Sequence, residues 1–529
     1  MTTDTRARAT EKTTTRKPHA WPWAALAGIV AAAALLAVAE LLAALFARSA
    51  SPVLAVGSFI VDIVPRPLKE LAITLFGESD KIALLVGVGL GAAVAAAVAG
   101  VLEHRFRFVG AVLLGIGGIL ATAAIITRAG AGALSWLPPV VGTVVGVAVL
   151  VLAIGRLKRW MGAARDRDVE TAGTDRRQFL LFTGLTALGA VVVGVGARVL
   201  NATTSSVAAA RDALRLPSAR RTVTVPDGAN WEIEGLSPII TPNSDFYRVD
   251  TALTVPNVDP TTWRLQIDGM VDTPIELSFD DLVNRGLDEY GVTLTCVSNE
   301  VGGDLVGNAI WTGVPIRDIL RMAGPQADAD MVLSESVDGY TASTPLSALV
   351  DDNLDAIFAV AMNGEPLPFE HGFPVRMVVP GLYGYVSATK WVTKLTVTRF
   401  DKDEAYWTPR GYAAQAPIKL SSRVDTPKIG TPVTAGTVTV AGMAWAQPLG
   451  VQKVEVRIDE GDWQETQLSN PINDQSWVQW RFDWNAEPGS HYIAVRATDK
   501  QGNLQIEQQA PIAPDGSSGW QRTLVTVRS

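Results

Sequence analysis

The stretch Thr293–Leu320, TLTCVSNEVGGDLVGNAIWTGVPIRDIL, decides the fold of the second half of the chain. Residues 291–296 alternate as a β-strand does, and the alternation ends at Cys296. The following segment, Ser298–Gly303, contains two glycines, which let backbone approach a ligand closely. The sequence therefore predicts a thiol at a strand end beside a glycine-containing loop. Thiolate sulfur is a good ligand for many metals, but a lone free cysteine is more often a small buried apolar side chain. The residues alone leave both roles open.

Cysteine and histidine are scarce in this chain of 529 residues. Cys296 is the only cysteine, so the chain forms no internal disulfide. The four histidines are scattered, which argues against a histidine-rich metal cluster. None lies inside an apolar span, which argues against a membrane haem with two histidine ligands. The net charge of -8 is spread along the chain, so nucleic acid is not an expected partner.

Apolar runs dominate the first 200 residues. A helix needs about 20 residues to cross roughly 30 Å of hydrocarbon. Residues 21–200 contain about five such runs and predict an α-helical membrane anchor, with spans at Trp21–Phe46, Ile82–Leu102, Phe108–Ile126, Ala133–Ile154 and Phe179–Leu200. The stretch Pro52–Gly77 has a shorter apolar run that contains Asp62. It is predicted to be an interfacial or loop segment, and a sixth span is the alternative.

The distribution of Lys and Arg orients these spans. Basic residues concentrate in the tail formed by residues 1–20, in the turn after the second span and in the loop before the fifth. Because cytoplasmic loops are enriched in Lys and Arg, the tail is predicted to be cytoplasmic and everything after Leu200 to be extracytoplasmic. The expected protein is a multi-pass protein of a bacterial cell membrane.

Residues 174–180, TDRRQFL, resemble a twin-arginine export signal, although such a signal normally stands at an N-terminus. The export signal implies that the following domain folds around a cofactor before it crosses the membrane. The alternative is that Arg176 and Arg177 only mark the cytoplasmic end of a helix.

Beyond a linker at residues 201–224 the pattern changes to short strands and occasional helices. Trp263–Ile267 predicts a strand that turns at Asp268-Gly269, Ser278 a helix N-cap, and Pro315–Ala323 a short helix. Residues 225–424 are therefore expected to form an α+β domain. Residues 425–529 contain several period-two runs without a helical pattern, which is typical of an all-β Ig-like sandwich.

Several segments of the second half resemble the sulfite oxidase family of molybdopterin enzymes. Thr293–Leu320 is similar to the family's cofactor-cysteine region, and residues 371–392, HGFPVRMVVPGLYGYVSATKWV, to its pterin-binding segment. Residues 241–251, TPNSDFYRVDT, resemble its N-terminal binding loop. The runs 454–463 and 494–503, VEVRIDEGDW and AVRATDKQGN, look like its Ig-like dimerisation domain. The resemblance covers about residues 225–529, and the motifs occur in the family's order.

The resemblance implies a role for each matching residue. Cys296 is implied as the one protein ligand to molybdenum, the other sulfurs coming from the pterin dithiolene. Arg248 and Tyr412 are implied as catalytic residues that orient substrate or assist proton transfer. Contacts to the Mo-molybdopterin cofactor are implied for Asn243, Tyr247, Ser336, His371, Arg376, Ser387, Thr389 and Lys390.

Without the family, these side chains allow plainer roles. Arg376 interrupts an apolar run, and its planar fork can hold phosphate oxygens by two bonds. An edge arginine on a core strand is the alternative. His371 alone is compatible with a structural histidine, Arg248 with a solvated strand residue, and Tyr383 and Tyr385 with packing aromatics.

The expected protein is a membrane-anchored molybdopterin oxidoreductase that transfers an oxygen atom on a small extracytoplasmic substrate, in the sulfite-oxidase or the sulfoxide-reductase direction. The rival hypothesis is a membrane-tethered, non-catalytic binding module that uses the Ig-like domain. The chain has no Cys-x-x-Cys-His haem motif, so an electron-transfer protein or a quinone is expected as the electron partner. A homodimer through the Ig-like domain is the expected assembly.

The loop after Cys296 bears on the substrate. Sulfite-oxidising members carry an arginine shortly after the cofactor cysteine, whereas Ser298–Gly302 contains none and includes Glu300. A carboxylate at roughly 4–6 Å repels a dianion by several kcal/mol at an effective dielectric near ~20. We therefore predict that sulfite is a poor substrate and that a neutral or zwitterionic compound, such as a sulfoxide, is handled better.

Overall fold

The computed structural model describes residues 19–46, 52–64, 80–127, 134–166, 168–202, 205–252 and 254–529. The chain divides into two compact units, Met1–Thr203 and Thr204–Ser529. Most of the predicted basic tail (residues 1–18), residues 65–77 of the predicted interfacial segment and residues 203–204 of the predicted linker lie outside the described residues.

The first unit is helical throughout its described part. Its helices are α1 Ala20–Phe46, α2 Pro52–Ile63, α3 Asp80–Arg105, α4 Val109–Ile126, α5 Leu137–Arg165 and α6 Val169–Ala202. Five of them are long and apolar enough to cross a membrane and correspond to the five predicted spans. Helix α2 has 12 residues, about 18 Å at ~1.5 Å per residue. It is therefore too short to span the hydrocarbon.

Small residues and aromatic rings pack these helices together. A Cβ atom at Gly28 of α1 or at Gly100 of α3 would collide with the facing backbone, so the two helices approach most closely there. Trp23, Trp160 and Phe179 form a cluster with ring centroids 5.6 to 6.1 Å apart, in which Trp23 packs edge-to-face on the other two rings. Helix α6 starts ten residues before the predicted fifth span, so the twin-arginine-like segment 174–180 is itself helical.

The second unit opens with a short helix and continues into two sheets. The first sheet has the strand order β2-β1-β10-β5-β6; the second has the order β3-β4-β7-β8, with β9 also paired to β7. The elements are α7 Ser205–Ala213, β1 Arg264–Gly269, β2 Ile275–Ser278, α8 Phe279–Val283, β3 Asp288–Thr295, β4 Val306–Pro315, α9 Ile316–Ala323, β5 Met331–Ser336, β6 Thr341–Pro345, α10 Leu346–Val350, β7 Ile357–Met362, β8 Glu365–Pro366, β9 Arg376–Val378 and β10 Val392–Thr398. Single 3₁₀ turns lie at Phe369–His371, Gly384–Val386 and Thr408–Arg410.

Local signals in the sequence account for several of these boundaries. Ser278 caps α8 in a reciprocal capping box with Asp281, as the N-cap prediction requires. Pro315 lies at the N-cap of α9, so that predicted helix is confirmed as well. The strand predicted at Trp263–Ile267 is present, but it continues to Gly269, where φ is +89°. The turn therefore comes later than predicted.

The C-terminal strands form two further sheets, with orders β11-β13-β17-β16 and β12-β19-β18-β14-β15. They are β11 Ser421–Thr426, β12 Val433–Thr434, β13 Gly436–Trp445, β14 Val451–Ile458, β15 Gln464–Glu465, β16 Gln467–Leu468, β17 Val478–Ala486, β18 Gly489–Asp499 and β19 Gln521–Arg528. Side chains from both sheets, including Val440, Trp480, Val456 and Val495, bury one shared core. The period-two runs of the sequence are confirmed as strands β13, β14 and β18.

Candidate active site

Cys296 lies directly after the last residue of β3, at the base of a cavity. Its backbone N–H donates to the Leu305 carbonyl at 2.9 Å, and its carbonyl accepts from the Asn299 N–H at 3.0 Å, which closes the loop into a tight turn. The Ser298 N–H approaches the Cys296 Sγ at 3.4 Å. The side chain is buried, and burial raises the pKa of the thiol. The predicted position at a strand end is confirmed.

The cavity encloses about 790 Å³ of empty space, including its open mouth. Six of the residues predicted for the site line it: Tyr247, Cys296, Ser336, His371, Arg376 and Lys390. Much of the remaining wall is aromatic, contributed by Phe246, Tyr340, Tyr385, Trp391 and Trp407.

Arg376, the first residue of β9, is a buried cation, 5% exposed. Its guanidinium donates to the carbonyls of Met377, His371 and Ala388 at 3.3, 3.2 and 3.5 Å, and stacks over Trp311 at 4.9 Å. Among the described residues, no carboxylate lies within 4.0 Å of it. Burial lowers the pKa of Arg376 to about 10. A buried charge of this kind is stabilised when an anion binds it.

His371 lies beside Arg376 in the 3₁₀ turn Phe369–His371. It is 3% exposed, its Nε2 lies 3.2 Å from the Asn243 carbonyl, and its ring packs edge-to-face on Phe246. Burial, and next the charge of Arg376, lower the pKa of His371 to about 4, so the imidazole is neutral at pH 7. Gly372 follows with a φ of +113°, and a Cβ there would lie 2.9 Å from the Cβ of Arg376. The close approach of the two segments requires this glycine.

Ser336, at the end of β5, supplies a buried hydroxyl with no hydrogen-bond partner among the described residues. The residue is 3% exposed and lines the cavity. Buried polar groups are nearly always satisfied in native proteins. An orphaned hydroxyl that faces a cavity therefore indicates a polar ligand.

Lys390, Asp250 and Arg248 form a charged group at one side of the cavity. The Lys390 Nζ donates to the Asp250 Oδ2 at 2.9 Å and to the Glu370 carbonyl at 3.1 Å. The Arg248 Nε donates to the same Asp250 oxygen at 3.0 Å. The side chains of Asp250 and Lys390 are 4% and 10% exposed, whereas that of Arg248 is 41% exposed. Burial lowers the pKa of Lys390 to about 8, against the opposing effect of Asp250.

Comparison with known proteins identifies the family. Residues 252–407 match the family described as oxidoreductase molybdopterin binding domain. The chain is 32% identical over 372 residues to mitochondrial sulfite oxidase of Mus musculus, covering 60% of this chain and 67% of that protein. The chain belongs to the sulfite oxidase family. It is a molybdenum-dependent oxidoreductase, and its cofactor is Mo-molybdopterin.

Two further similarities extend the comparison. The NADH nitrate reductase of Spinacia oleracea is 28% identical over 319 residues, covering 48% of this chain and 34% of that protein. A crystal structure of the sulfane dehydrogenase SoxCD from Paracoccus pantotrophus aligns with a TM-score of 0.48 and 22% identity, covering 55% of this chain and 84% of that chain.

The cavity fits the cofactor of the sulfite oxidase family in three respects. Cys296 offers a thiol, and among the described residues Ser336 has an unsatisfied hydroxyl and Arg376 a buried positive charge without a carboxylate partner. Among the described residues, no group of three or more His, Cys, Asp or Glu side chains converges to hold a metal ion. Cys296 is the cysteine that lines the cavity, and its role as the metal ligand remains a prediction.

Ser387 and Thr389, two residues of the pterin-binding segment for which a cofactor contact is implied, direct their hydroxyls into the protein. The Ser387 Oγ donates to the carbonyls of Leu382 and Tyr383 at 3.1 and 3.0 Å. The Thr389 Oγ1 lies 2.7 Å from the Ser334 Oγ. Both are fully buried and neither lines the cavity. Their hydroxyls hold the loop in shape, and direct cofactor contact through them remains a prediction.

Asn243 and Tyr412 lie one layer behind the cavity wall. The Asn243 carbonyl contacts His371, and its side chain donates to the Met362 carbonyl at 3.3 Å. The Tyr412 ring packs edge-to-face on Tyr385 and Trp407, both of which line the cavity. The structure thus places the two residues beside wall residues, and their predicted direct roles remain predictions.

Glu300 does not face the cavity, so the expectation of a carboxylate from this loop near the substrate is wrong. The Asn299 Oδ1 accepts the Leu305 N–H at 2.9 Å, which turns the Asn299 side chain inward. Glu300, the next residue, is consequently exposed and absent from the cavity lining. The acidic groups at the cavity are Asp250 and Asp338 instead.

Sequence reasoning missed Asp250 and Tyr340, although both stand in segments that resemble the family. The Tyr340 hydroxyl donates to the Tyr385 carbonyl at 2.7 Å, which ties two parts of the wall together. Asp250 stands two residues after Arg248, and this acidic residue beside a predicted substrate-binding arginine was the available signal.

Proposed function

We propose that this chain is a membrane-anchored molybdopterin oxidoreductase that transfers an oxygen atom to or from a small extracytoplasmic substrate. The observation that carries the proposal is the pairing of Cys296 with the buried cation Arg376 across one cavity. One supplies sulfur for the metal, and the other supplies positive charge for the anionic end of the cofactor.

Each side chain has a defined task in this proposal. Cys296 ligates the metal, and Arg376, His371, Ser336, Tyr247 and Lys390 hold the pterin and its phosphate. When bound, Mo-molybdopterin supplies two-electron oxygen-atom transfer. The neutral His371 donates or accepts a hydrogen bond without adding charge. The aromatic wall keeps bulk water away from the reacting atoms.

The residues around the wall complete the site. Asn243, Ser387 and Thr389 fix the two loops that carry the cofactor contacts. Arg248 and Tyr412 orient the substrate or assist proton transfer from the rim of the cavity. Arg248 is the more exposed of these, at 41%, and is therefore accessible to an incoming molecule.

The substrate proposed here is neutral or zwitterionic, such as a sulfoxide, and sulfite is the competing candidate because matched relatives are sulfite oxidases. Because Glu300 lies outside the cavity, the expected preference against a dianion depends on the charged side chains that line the cavity. Arg376 is assigned to the cofactor phosphate, and the second lining cation, Lys390, is already paired with Asp250. Asp338 adds a further carboxylate to the wall. A dianion gains little charge compensation in such a cavity.

The membrane arrangement is part of the same proposal. The five long apolar helices span a bacterial cell membrane, and the excess of Lys and Arg in residues 1–20 and before α6 places those segments in the cytoplasm. The catalytic unit is then extracytoplasmic. Arg176 and Arg177 act as an internal twin-arginine signal that directs its export in folded form.

Electrons are exchanged with an electron-transfer protein or a quinone, which accepts them in the sulfite-oxidising direction and supplies them in the sulfoxide-reducing direction, since the chain has no Cys-x-x-Cys-His haem motif. The C-terminal sandwich is assigned as Ig-like and as the surface of a homodimer. Two packed sheets with a shared apolar core, antiparallel except for the short β12–β19 pair, support the sandwich assignment.

Cofactor content and one substitution test the proposal. Protein from a cofactor-competent host should contain about one molybdenum and one pterin per chain, and Cys296→Ser should lose turnover because it removes the metal ligand. Glu300→Gln is the matched control in the same loop, and it should keep its activity because the side chain is exposed. Full activity of Cys296→Ser, or the absence of molybdenum from the wild-type protein, would contradict the proposal.

A further inference from the structure

Asp250 occupies an unusual position for an acid in a site that binds an anionic cofactor. Its side chain is 4% exposed, yet it lines the cavity. One of its oxygens, Oδ2, accepts from the Lys390 Nζ at 2.9 Å and from the Arg248 Nε at 3.0 Å. Two cations from segments 140 residues apart therefore converge on a single carboxylate oxygen.

We propose that Asp250 is a specificity-determining residue that pairs with Arg248 and Lys390, offsets one of their two positive charges and thereby disfavours small dianions at the substrate position. This inference rests on the proposed function and names the residue that sets the charge of its substrate. Asp250 acts through the two cations, so it is a positioning residue rather than a catalytic one.

The charges around the cavity support this assignment. The lining contains Arg376 and Lys390 as cations and Asp250 and Asp338 as anions, while burial keeps His371 neutral. Once Arg376 binds the cofactor phosphate, Lys390 is the remaining lining cation, and Asp250 compensates it. Loss of the Asp250 charge leaves Lys390 and Arg248 without their carboxylate on the same side of the cavity.

Removal of this one charge should therefore change the preference for anions. Charges a few ångströms apart at a partly buried site interact strongly enough to change affinity by ~10-fold or more. Asp250→Asn keeps the shape of the side chain and removes its charge. Asp250→Glu keeps the charge and changes only the length of the side chain.

The experiment measures binding of inorganic sulfate to the molybdenum-loaded, full-length protein by calorimetry, without turnover. We expect Asp250→Asn to bind sulfate at least ~10-fold more tightly than the wild type and Asp250→Glu to stay close to the wild type. Asp245→Asn is the matched control, because Asp245 is an exposed acid of the same loop that does not line the cavity. It should leave sulfate affinity unchanged. Equal sulfate binding by Asp250→Asn and the wild type, including no measurable binding by either, would overturn the inference.

Arg248→Gln provides a second measurement that does not depend on the folding of Asp250→Asn. Because the Arg248 Nε is already bonded to Asp250, Arg248→Gln should lower the sulfate affinity of the otherwise wild-type protein by at most about fivefold, on the scale of weak exposed ion pairs. A tenfold or greater loss would show that Arg248 is available to anions and would contradict the inference. Molybdenum content distinguishes failure of the proposed function from failure of the inference about Asp250. Wild-type protein without molybdenum would refute the proposed function. Molybdenum-loaded protein whose variants do not show the expected sulfate affinities would refute only the role of Asp250.

Discussion

Arg376 and Arg423 are two buried arginines with different hydrogen-bond partners, and the difference predicts opposite effects of the same substitution. Both stack on tryptophans, Arg376 over Trp311 at 4.9 Å and Arg423 over Trp477 at 5.7 Å. Arg423 pairs with the Asp425 carboxylate at 2.6 Å, whereas the hydrogen-bond acceptors of Arg376 among the described residues are backbone carbonyls. Replacement by Met keeps most of the apolar stem in each case and removes the charge.

The expected change in the free energy of unfolding follows from the pKa of Arg376, which burial lowers from 12.5 to about 10. That difference corresponds to about 3 kcal/mol of destabilisation of the folded, charged form at about 1.4 kcal/mol per unit. A base with a depressed folded pKa carries this cost at every pH below that pKa, and the cost falls progressively as pH rises from about 10 to the ordinary value of 12.5. The three long hydrogen bonds of Arg376 and its contact with Trp311 offset about 2 kcal/mol of this destabilisation. Apo Arg376→Met should therefore be as stable as the apo wild type, or about 1 kcal/mol more stable.

Arg423→Met should behave in the opposite way. It leaves the Asp425 carboxylate, whose side chain is 8% exposed, without its partner, which typically costs about 3–5 kcal/mol. The assay is denaturant unfolding of the full chain at pH 7, purified in detergent from a host that lacks the cofactor. Protein from a cofactor-competent host should show loss of bound pterin in Arg376→Met, because the phosphate has lost its cation.

Two results would refute this reasoning. An apo Arg376→Met protein that loses as much stability as Arg423→Met would show that Arg376 is a structural arginine. An Arg376→Met protein that keeps one pterin per chain would show that its charge is not used by the cofactor.

Two further predictions concern topology and substrate. Reporters fused after Leu200 should score as extracytoplasmic and one placed between Lys158 and Asp175 as cytoplasmic. Arg176→Lys together with Arg177→Lys should retain the catalytic unit inside, and normal export of that variant would remove the twin-arginine proposal while leaving the span count intact. Steady-state assays on one molybdenum-loaded preparation should show better methionine sulfoxide reduction than sulfite oxidation, because the cavity cations are already neutralised. Efficient sulfite turnover with a low KM would contradict that expectation.

Local features of the sequence predicted what local chemistry determines. The alternation of residues 291–296 placed Cys296 at a strand end, Ser278 capped its helix, and runs of about 20 apolar residues gave five long helices. In each case the signal and the structure involve neighbouring residues. The direction of a single side chain in a loop cannot be predicted in this way, because it depends on which residues of the loop form hydrogen bonds with one another. Asn299 turns inward to cap Leu305, and Glu300 is therefore outside.

Contacts between distant segments account for the rest of what the sequence did not predict. The pairing of Asp250 with Lys390 spans 140 residues, and no periodicity or composition encodes it. The resemblance implies a cofactor contact for Thr389, but the Thr389 hydroxyl forms a hydrogen bond with the Ser334 hydroxyl, 55 residues earlier. The family resemblance identified which segments meet at the cavity. It did not determine which side chains enter it.

The boundary predicted at residues 424 and 425 separates parts of the chain that the fold joins. Thr293, on the strand that leads to Cys296, donates from its Oγ1 to the Asn308 side chain and accepts the Trp477 N–H at 2.8 Å. The Asn299 carbonyl in the cysteine loop accepts the Ser517 hydroxyl at 2.7 Å, and the Gly303 carbonyl accepts an N–H at 2.8 Å from Arg423, whose strand β11 the predicted boundary divides. The C-terminal strands and loops therefore hold both ends of the segment that presents the thiol. Because a metal ligand tolerates little displacement, the β-sandwich contributes to the geometry of the active site even though none of its residues lines the cavity.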